Sequence, residues 1–199
     1  MLREDAFDKR YLALVRGKWE LGKKLIDAPL RTDLRVGGER TVRVDPNGKT
    51  AQSEFRPVQF FGNLATLVEV RLLTGRTHQI RVHAAWAGHP VAGDEKYGDD
   101  EYSGQLRAFG LKRLFLHAHS ISFMDPERHV DVSISAPLPP DLKKVLDALG
   151  QRAGKLRPAG GDGTLPGERV VAAAAAAAAP RNVPHLSSRT KSRPNARAK

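Results

Sequence analysis

One stretch of the chain is richer in functional groups than the rest. It runs Arg71-Leu72-Leu73-Thr74-Gly75-Arg76-Thr77-His78-Gln79-Ile80-Arg81-Val82-His83, followed by Gly88-His89-Pro90 and Gly93-Asp94-Glu95-Lys96-Tyr97-Gly98. A glycine turn before a helix leaves free backbone N–H groups, and guanidinium forks such as those of Arg76 and Arg81 match phosphate or carboxylate oxygens. On that helix His78 and Arg81 are three apart and share one face. The pattern indicates a site for an anionic group, and an ordinary solvated helix face is the alternative.

Seven histidines raise the question of a metal site. His78 and His83 are five apart, which places them about 140° apart on a helix, unlike the i, i+4 pair of zinc helices. His117 and His119 face the same side of a strand but lack a third ligand at a fixed spacing, so we expect hydrogen bonds there instead. The motifs of serine hydrolases, phosphate loops and dinucleotide sites do not occur. We therefore predict no metal site.

Length and composition limit the classes of protein that remain. The chain has 199 residues, which fits one ordinary domain with an appendage. Hydrophobic residues make up 40% and charged residues 28%, as in globular proteins. The absence of cysteine excludes a disulfide scaffold, a thiolate zinc site and a cysteine nucleophile. No apolar run is long enough for a membrane span and Met1–Asp5 is too charged for a secretory signal, so we expect a soluble cytoplasmic protein.

The net charge of +11 is unevenly distributed. Residues 1–150 have a net charge of +3, whereas residues 151–199 have +8. The second segment contains glycines, eight successive alanines and few large apolar residues, so we predict a domain over 1–150 and a disordered basic tail over 151–199. A basic excess is typical of proteins that bind a polyanion such as nucleic acid, and a solubilising tail is the alternative.

Within residues 1–150 the hydrophobic periodicity favours strands. The expected strands are Tyr11–Val15, Thr41–Val44, Ala51–Phe61 with an interruption at Pro57, Leu64–Leu73, Leu114–Phe123 and Val130–Ile134. The first expected helix is capped by Thr77 and reaches about Ala87, and the second covers Asp141–Leu149. This order predicts an α+β fold with a largely antiparallel, mixed β-sheet and a few helices.

The segment from Arg71 to His83, with the two glycine motifs that follow it, resembles the C-terminal signature of the pseudouridine synthases of the RluA type. Three more segments resemble motifs of that family, namely its tyrosine motif, its central hairpin and its late strand: Lys9–Gly17, Gly48–Phe55 and Arg113–Ala118. The resemblance covers residues 1 to about 149. The first and last of these three segments are most similar to the branch that modifies large-subunit ribosomal RNA.

The resemblance implies the pseudouridine synthase fold and the isomerisation of uridine in ribosomal RNA without metal or organic cofactor. We also expect a monomer. At the matching positions, Tyr11 packs against the target base and Arg81 pairs with the catalytic aspartate. Four further positions bind substrate, two at the RNA-facing edge and two as apolar walls: Arg76 and His78, then Ile80 and Leu116. A flipped base needs an apolar surface, and an active-site carboxylate needs a cation. From the residues alone, Tyr11 is a core strand aromatic.

One element of the family pattern does not occur in the chain. The family's nucleophile is an Asp in a segment like His-Arg-Leu-Asp-x-x-Thr-Ser-Gly before the tyrosine motif, and the 199 residues contain no such segment. Asp5 and Asp8 are too close to the tyrosine motif, and Asp94 belongs to a Gly-Asp motif that is a structural turn in the family. We expect the C-terminal part of a catalytic domain, inactive alone, from truncation or a misassigned start. The alternative is a non-catalytic RNA-binding remnant or a ribosome-associated protein.

Overall fold

A computed structural model describes residues 7–34 and 40–155. In those ranges the strands are β1 Phe7–Arg16, β2 Lys24–Asp27, β3 Leu30–Leu34, β4 Arg40–Val44, β5 Gln52–Phe61, β6 Ala65–Leu72, β7 Leu116–Asp125 and β8 Val130–Ser135. The helices are α1 Gln79–Trp86, α2 Asp100–Arg107 and α3 Pro140–Lys155. The expected tail lies outside the described residues from residue 156 onward. No helix of the described ranges is long and apolar enough to cross a membrane.

Six strands form one sheet in the order β2-β5-β6-β1-β7-β8, and β3 and β4 form a separate two-stranded ribbon. Every pairing between these described strands is antiparallel. The predicted α+β class is therefore confirmed. The strand β1, which carries the tyrosine motif, lies between β6 and β7 at the centre of the sheet.

Successive side chains of a strand point to opposite sides of a sheet, so an apolar strand needs cover on both faces. Helices cover both faces of this sheet. On the front face, as we call it, Val68 and Val70 of β6 share a buried cluster with Ile80 of α1. On the back face, Leu67 of β6 shares a second cluster with Leu106 of α2 and with apolar residues of α3. Packing on both faces explains why every residue of β6 from Ala65 to Val70 is buried.

The strand β5 continues through Pro57, where the sequence predicts an interruption. Its pairing register with β6 shifts between Pro57 and Gln59. The neighbouring strand β2 pairs only with residues 52–55, so no described strand pairs with β5 on that side at Pro57. Proline is tolerated at such an edge position or bulge because its missing N–H group is not needed for pairing there. Pro57 therefore does not end the strand.

The start of α1 differs from the prediction of a Thr77 cap. The helix begins at Gln79, and its N-cap residue is His78, which has a left-handed backbone with φ 54° and ψ 17° and makes no side-chain capping bond. The prediction placed His78 within the helix, and it lies just before it. A left-handed conformation is uncommon for a residue other than glycine and occurs where surrounding contacts hold it.

Three short elements have no counterpart in the prediction: β2, β3 and α2. The residues of β2 and α2 are largely polar, and both elements contribute few buried side chains, so hydrophobic periodicity does not reveal them. The last helix is longer than predicted at both ends, since α3 begins at Pro140 and continues past Gly150 to Lys155. The strand β7 begins two residues later than predicted and ends at Asp125.

Candidate functional site

The turn between β6 and α1 is organised by the side chain of Gln79. Its carboxamide oxygen accepts hydrogen bonds from the Arg76 amide at 2.9 Å and from Thr74 Oγ1 at 2.8 Å. Its carboxamide nitrogen donates to Gln52 O at 2.9 Å and to Ser53 Oγ at 2.8 Å. The expectation of free amides in this turn is therefore wrong for Arg76, whose N–H group is already bonded within the chain.

The same network continues into the interior and includes His83, whose side chain is fully buried. Ser53 Oγ accepts from Gln79, which leaves its hydroxyl proton for His83 Nδ1 at 3.1 Å. His83 Nε2 then donates to Ala28 O at 2.9 Å. Burial lowers the pKa of His83, consistent with this neutral, fully bonded ring. His83 therefore fixes α1 to the strands beneath it and is not available to RNA.

Arg81 and Asp94 form a bidentate ion pair. Arg81 Nε lies 2.7 Å from Asp94 Oδ2, and Arg81 Nη2 lies 2.6 Å from Asp94 Oδ1. The Asp94 side chain is completely buried, whereas that of Arg81 is 18% exposed. Burial alone raises the pKa of Asp94, but hydrogen bonds from Arg81 and from the Tyr97 and Lys96 amides outweigh burial and hold the pKa below its usual value. The pair is therefore ionised at neutral pH.

Glycines at both ends of the turn allow Asp94 to take this position. Gly93 has a positive φ of 72°, and a Cβ atom there would collide with Arg113 O. A Cβ atom at Gly98 would collide with Asp94 O. Asp94 Oδ1 also accepts the amides of Lys96 and Tyr97, each at 3.0 Å. Asp94 therefore closes a turn and anchors Arg81, which is a structural position.

Tyr97 connects this turn to His78 and to the β3–β4 ribbon. Its hydroxyl accepts a hydrogen bond from the Val42 amide at 3.0 Å and lies 2.9 Å from His78 Nδ1. The His78 ring meets the Tyr97 ring edge-on with a centroid distance of 5.5 Å. The Arg81 guanidinium lies 4.9 Å from the centre of the Tyr97 ring, in the geometry of a cation–π contact. His78 and Arg81 therefore share Tyr97 as a common neighbour.

The apolar residues named from the sequence meet on the front face. Ile80 is buried in the front-face cluster, and Tyr11 and Leu116 are partly buried against the same cluster. Tyr11 pairs with Ala118 and Leu116 pairs with Ala13, so the two side chains belong to neighbouring strands. Ile80 directly precedes Arg81 on α1, so the same helix carries one member of the apolar group and the arginine of the ion pair.

Arg76 has a different anchor from Arg81. Its Nε donates to Thr50 O at 3.1 Å, at the start of the hairpin that leads into β5. Three of the six site residues named from the sequence belong to the apolar group, namely Tyr11, Ile80 and Leu116. Two others, His78 and Arg81, contact Tyr97. Arg76 belongs to neither set and contacts Thr50 instead.

The histidine pair of β7 lies apart from this site. His117 Nε2 bonds Ala136 O at 3.1 Å, as expected. His119 is buried, and among the described residues neither of its ring nitrogens has a hydrogen-bond partner of regular geometry. Burial lowers the pKa of His119. Within the described ranges no three histidine or carboxylate side chains are placed to hold a metal ion.

Sequence reasoning missed the parts played by Gln79, Ser53 and Tyr97. Each acts through a partner 5 to 55 residues away in the chain. The available signal was the Gly93-Asp94 and Tyr97-Gly98 pattern, in which closely spaced glycines indicate a backbone that must pass close to another part of the chain.

The fold and this arrangement can be compared with known proteins. Residues 1–86 match the family model described as RNA pseudouridylate synthase. Among the relatives is ribosomal large subunit pseudouridine synthase C of Pasteurella multocida, which is 48% identical over 151 residues, 76% of this chain and 46% of the relative. The protein of the same name from Escherichia coli K12 is 45% identical over 150 residues, 74% of this chain and 47% of the relative. The chain thus spans about half the length of these curated relatives.

Solved structures agree in fold. Human RNA Pseudouridylate Synthase Domain Containing 1 superposes with a TM-score of 0.58 and 27% identity, over 79% of this chain and 69% of the human chain. Human RNA Pseudouridylate Synthase Domain Containing 4 superposes with a TM-score of 0.57 over 72% of this chain and 62% of the human chain, at 23% identity. At 23% identity, the second comparison supports a shared fold and nothing further.

Proposed function

We propose that the chain supplies the uridine-binding half of an RNA pseudouridine synthase site for large-subunit ribosomal RNA. The observation that carries this proposal is that Tyr11, Ile80 and Leu116 belong to one apolar cluster, and that Ile80 is the helix neighbour of Arg81, which pairs with Asp94. A base that leaves its stack requires an apolar or aromatic surface, and Tyr11 and Leu116 are only partly buried, so that both retain exposed area. The curated relatives are named for pseudouridine synthesis in the ribosomal large subunit.

One terminal nitrogen of the Arg81 guanidinium, Nη1, remains available for a further partner. Asp94 occupies Nε and Nη2, and within the described part of the chain Nη1 has no hydrogen-bond partner. A guanidinium whose plane is fixed by one carboxylate can bind a second carboxylate through its remaining N–H groups. We propose that Arg81 Nη1 pairs with the catalytic aspartate of the family reaction, which is the part that family resemblance assigns to this arginine.

In the family reaction the N1 glycosidic bond of uridine breaks, the uracil ring turns, and a new bond forms between C5 and C1′ of the ribose, while C5 loses its proton and N1 gains one. The proposed contribution of this chain is to hold the base against Tyr11 and Leu116 and to orient the carboxylate through Arg81. Arg76 and His78 contact RNA outside the base pocket. The carboxylate itself belongs to a segment that these 199 residues do not contain. We propose a cytoplasmic monomer that uses neither metal nor organic cofactor.

The lack of a His-Arg-Leu-Asp segment in these 199 residues also favours a second function. Without the His-Arg-Leu-Asp segment, the chain is also suited to bind RNA without reaction, as a remnant or a ribosome-associated protein. Both functions require RNA binding, and only the first requires that an added aspartate-bearing segment restores product. Mixing the chain with a polypeptide that carries the family's His-Arg-Leu-Asp segment therefore separates them, because product is expected only from the first function.

The basic residues beyond α3 are expected to add affinity that is independent of RNA sequence. Residues 156–199 contain eight Lys and Arg against two Asp and Glu. A chain that ends at Lys155 keeps all of α3, and it should bind a uridine-containing RNA more weakly. Its log–log salt slope should be smaller by roughly 0.7 for each single-strand phosphate that is no longer neutralised, because fewer counterions are released. Filter binding between low and high salt measures both quantities. Equal affinity and slope for the two chains would show that this segment only aids solubility.

A further inference from the structure

The hydrogen bonds around Tyr97 favour one position for the proton of its hydroxyl group. A tyrosine hydroxyl has one proton to donate and can accept through its oxygen. The Val42 amide can only donate, so it uses the oxygen as acceptor at 3.0 Å. His78 Nδ1, at 2.9 Å, is the only other hydrogen-bond partner of this hydroxyl in the described part of the chain. The arrangement that satisfies all three groups has the Tyr97 hydroxyl donating to His78 Nδ1.

This arrangement requires a neutral His78 whose proton is on Nε2. Burial and then the positive charges of Arg81 and Lys96 lower the pKa of His78, against a smaller opposite effect of Asp94. These groups and Tyr97 are the charged and titratable groups that face the ring. The neutral form is therefore favoured, and Tyr97 selects between its two tautomers.

His78 is also held in an unusual backbone conformation. Its φ of 54° lies in the left-handed region, which side chains other than glycine rarely adopt. Tyr97 in turn is fixed by its amide bond to Asp94 Oδ1 and by Arg81 over its ring. Strain of this kind is maintained where the surroundings over-determine a residue, and it is concentrated at functional positions.

We propose that Tyr97 is a positioning residue that fixes the tautomer and direction of His78, so that His78 Nε2–H donates a neutral hydrogen bond to a base carbonyl oxygen of the bound RNA outside the base pocket. This inference rests on the proposed function, because it assigns one contact within the same site. A neutral donor releases no counterion, which distinguishes this contact from the phosphate contacts of arginines. The half-buried His78 ring retains exposed area for such a contact.

The positioning step is tested without RNA. Long-range proton–nitrogen NMR spectra of the full chain labelled with nitrogen-15 show which ring nitrogen of His78 carries the proton. We expect the proton on Nε2 in the wild-type chain and a mixture of tautomers in Tyr97→Phe, which keeps the ring under Arg81. Tyr102→Phe is the matched control, because the Tyr102 hydroxyl bonds Val15 O and does not contact His78. A proton on Nδ1 in the wild-type chain overturns the inference, as does an unchanged tautomer in Tyr97→Phe. If Tyr97→Phe does not fold, the wild-type spectrum alone decides.

The recognition step is tested by binding of a single-stranded RNA oligonucleotide that contains uridines. His78→Ala should weaken binding about three- to tenfold, the effect of one neutral hydrogen bond, with no change in salt slope. The double variant with Tyr97→Phe should be little weaker than His78→Ala alone, because both changes remove the same contact. An unchanged affinity, a changed salt slope or additive effects of the two substitutions contradict this inference. Failure of the wild-type chain to bind the oligonucleotide contradicts the proposed function instead, and the NMR result is independent of it.

Discussion

Replacement of Asp94 by Asn is expected to lower the free energy of unfolding by about 3 kcal/mol or more. The change keeps the shape of the side chain but removes a fully buried negative charge that binds Arg81 through two hydrogen bonds. Arg81, which is only 18% exposed, is then left without its counter-ion. Removing one partner of a buried ion pair is costly, about 3 kcal/mol or more, because the other charge remains desolvated. Denaturant unfolding followed by circular dichroism measures the decrease.

A matched control is available in the pair of Arg113 and Asp141. It has a similar fork geometry, with Arg113 Nε 2.7 Å and Nη2 3.2 Å from the carboxylate, but both side chains are about half exposed. Asp141→Asn should therefore change stability little, because solvent screens an exposed pair. If Asp94→Asn and Asp141→Asn have similar effects, the Arg81–Asp94 pair is not the anchor of this site.

The 199-residue chain alone is expected to form no detectable pseudouridine in large-subunit ribosomal RNA. Groups that position a base and orient a carboxylate cannot replace the carboxylate itself, and removal of a nucleophile lowers rates by several orders of magnitude. Nucleoside mass spectrometry of ribosomal RNA after incubation with the purified chain measures the product. The full-length Pasteurella relative serves as the positive control. Product formed by the pure chain would show that another carboxylate in it replaces the family aspartate.

The sheet could be predicted because its central strands have a clear hydrophobic pattern. The residues of β1, of the β5–β6 ribbon and of the β7–β8 hairpin are long apolar or alternating runs bounded by turn residues. The shorter strands β2 and β3 lack such a pattern, because their stability comes from the neighbour with which they pair. The start of α1 was predicted at the wrong residue because the Gln79 side chain organises the preceding turn, and the Thr77 hydroxyl does not cap the helix.

The site could be predicted only as a set of residues. Family resemblance assigned Tyr11, Arg81 and His78 to one site, and the structure places the first beside the apolar group and the other two around Tyr97. The contacts themselves depend on pairs such as Arg81 with Asp94, which are 13 residues apart and meet through a glycine-bounded turn. Neither spacing nor propensity indicates which carboxylate an arginine will choose. Tertiary packing determines that choice.

The most direct test of RNA binding at this site is photochemical crosslinking of the full chain to large-subunit ribosomal RNA that contains 4-thiouridine. Mass spectrometry then identifies the crosslinked peptides. Binding at the front face predicts crosslinks in the peptide that contains Tyr11 and in the peptides around His78, and these should be reduced by an excess of unlabelled RNA. Crosslinks found only in residues 156–199 would contradict the proposed site and would leave the chain as a basic RNA-binding protein without a uridine pocket.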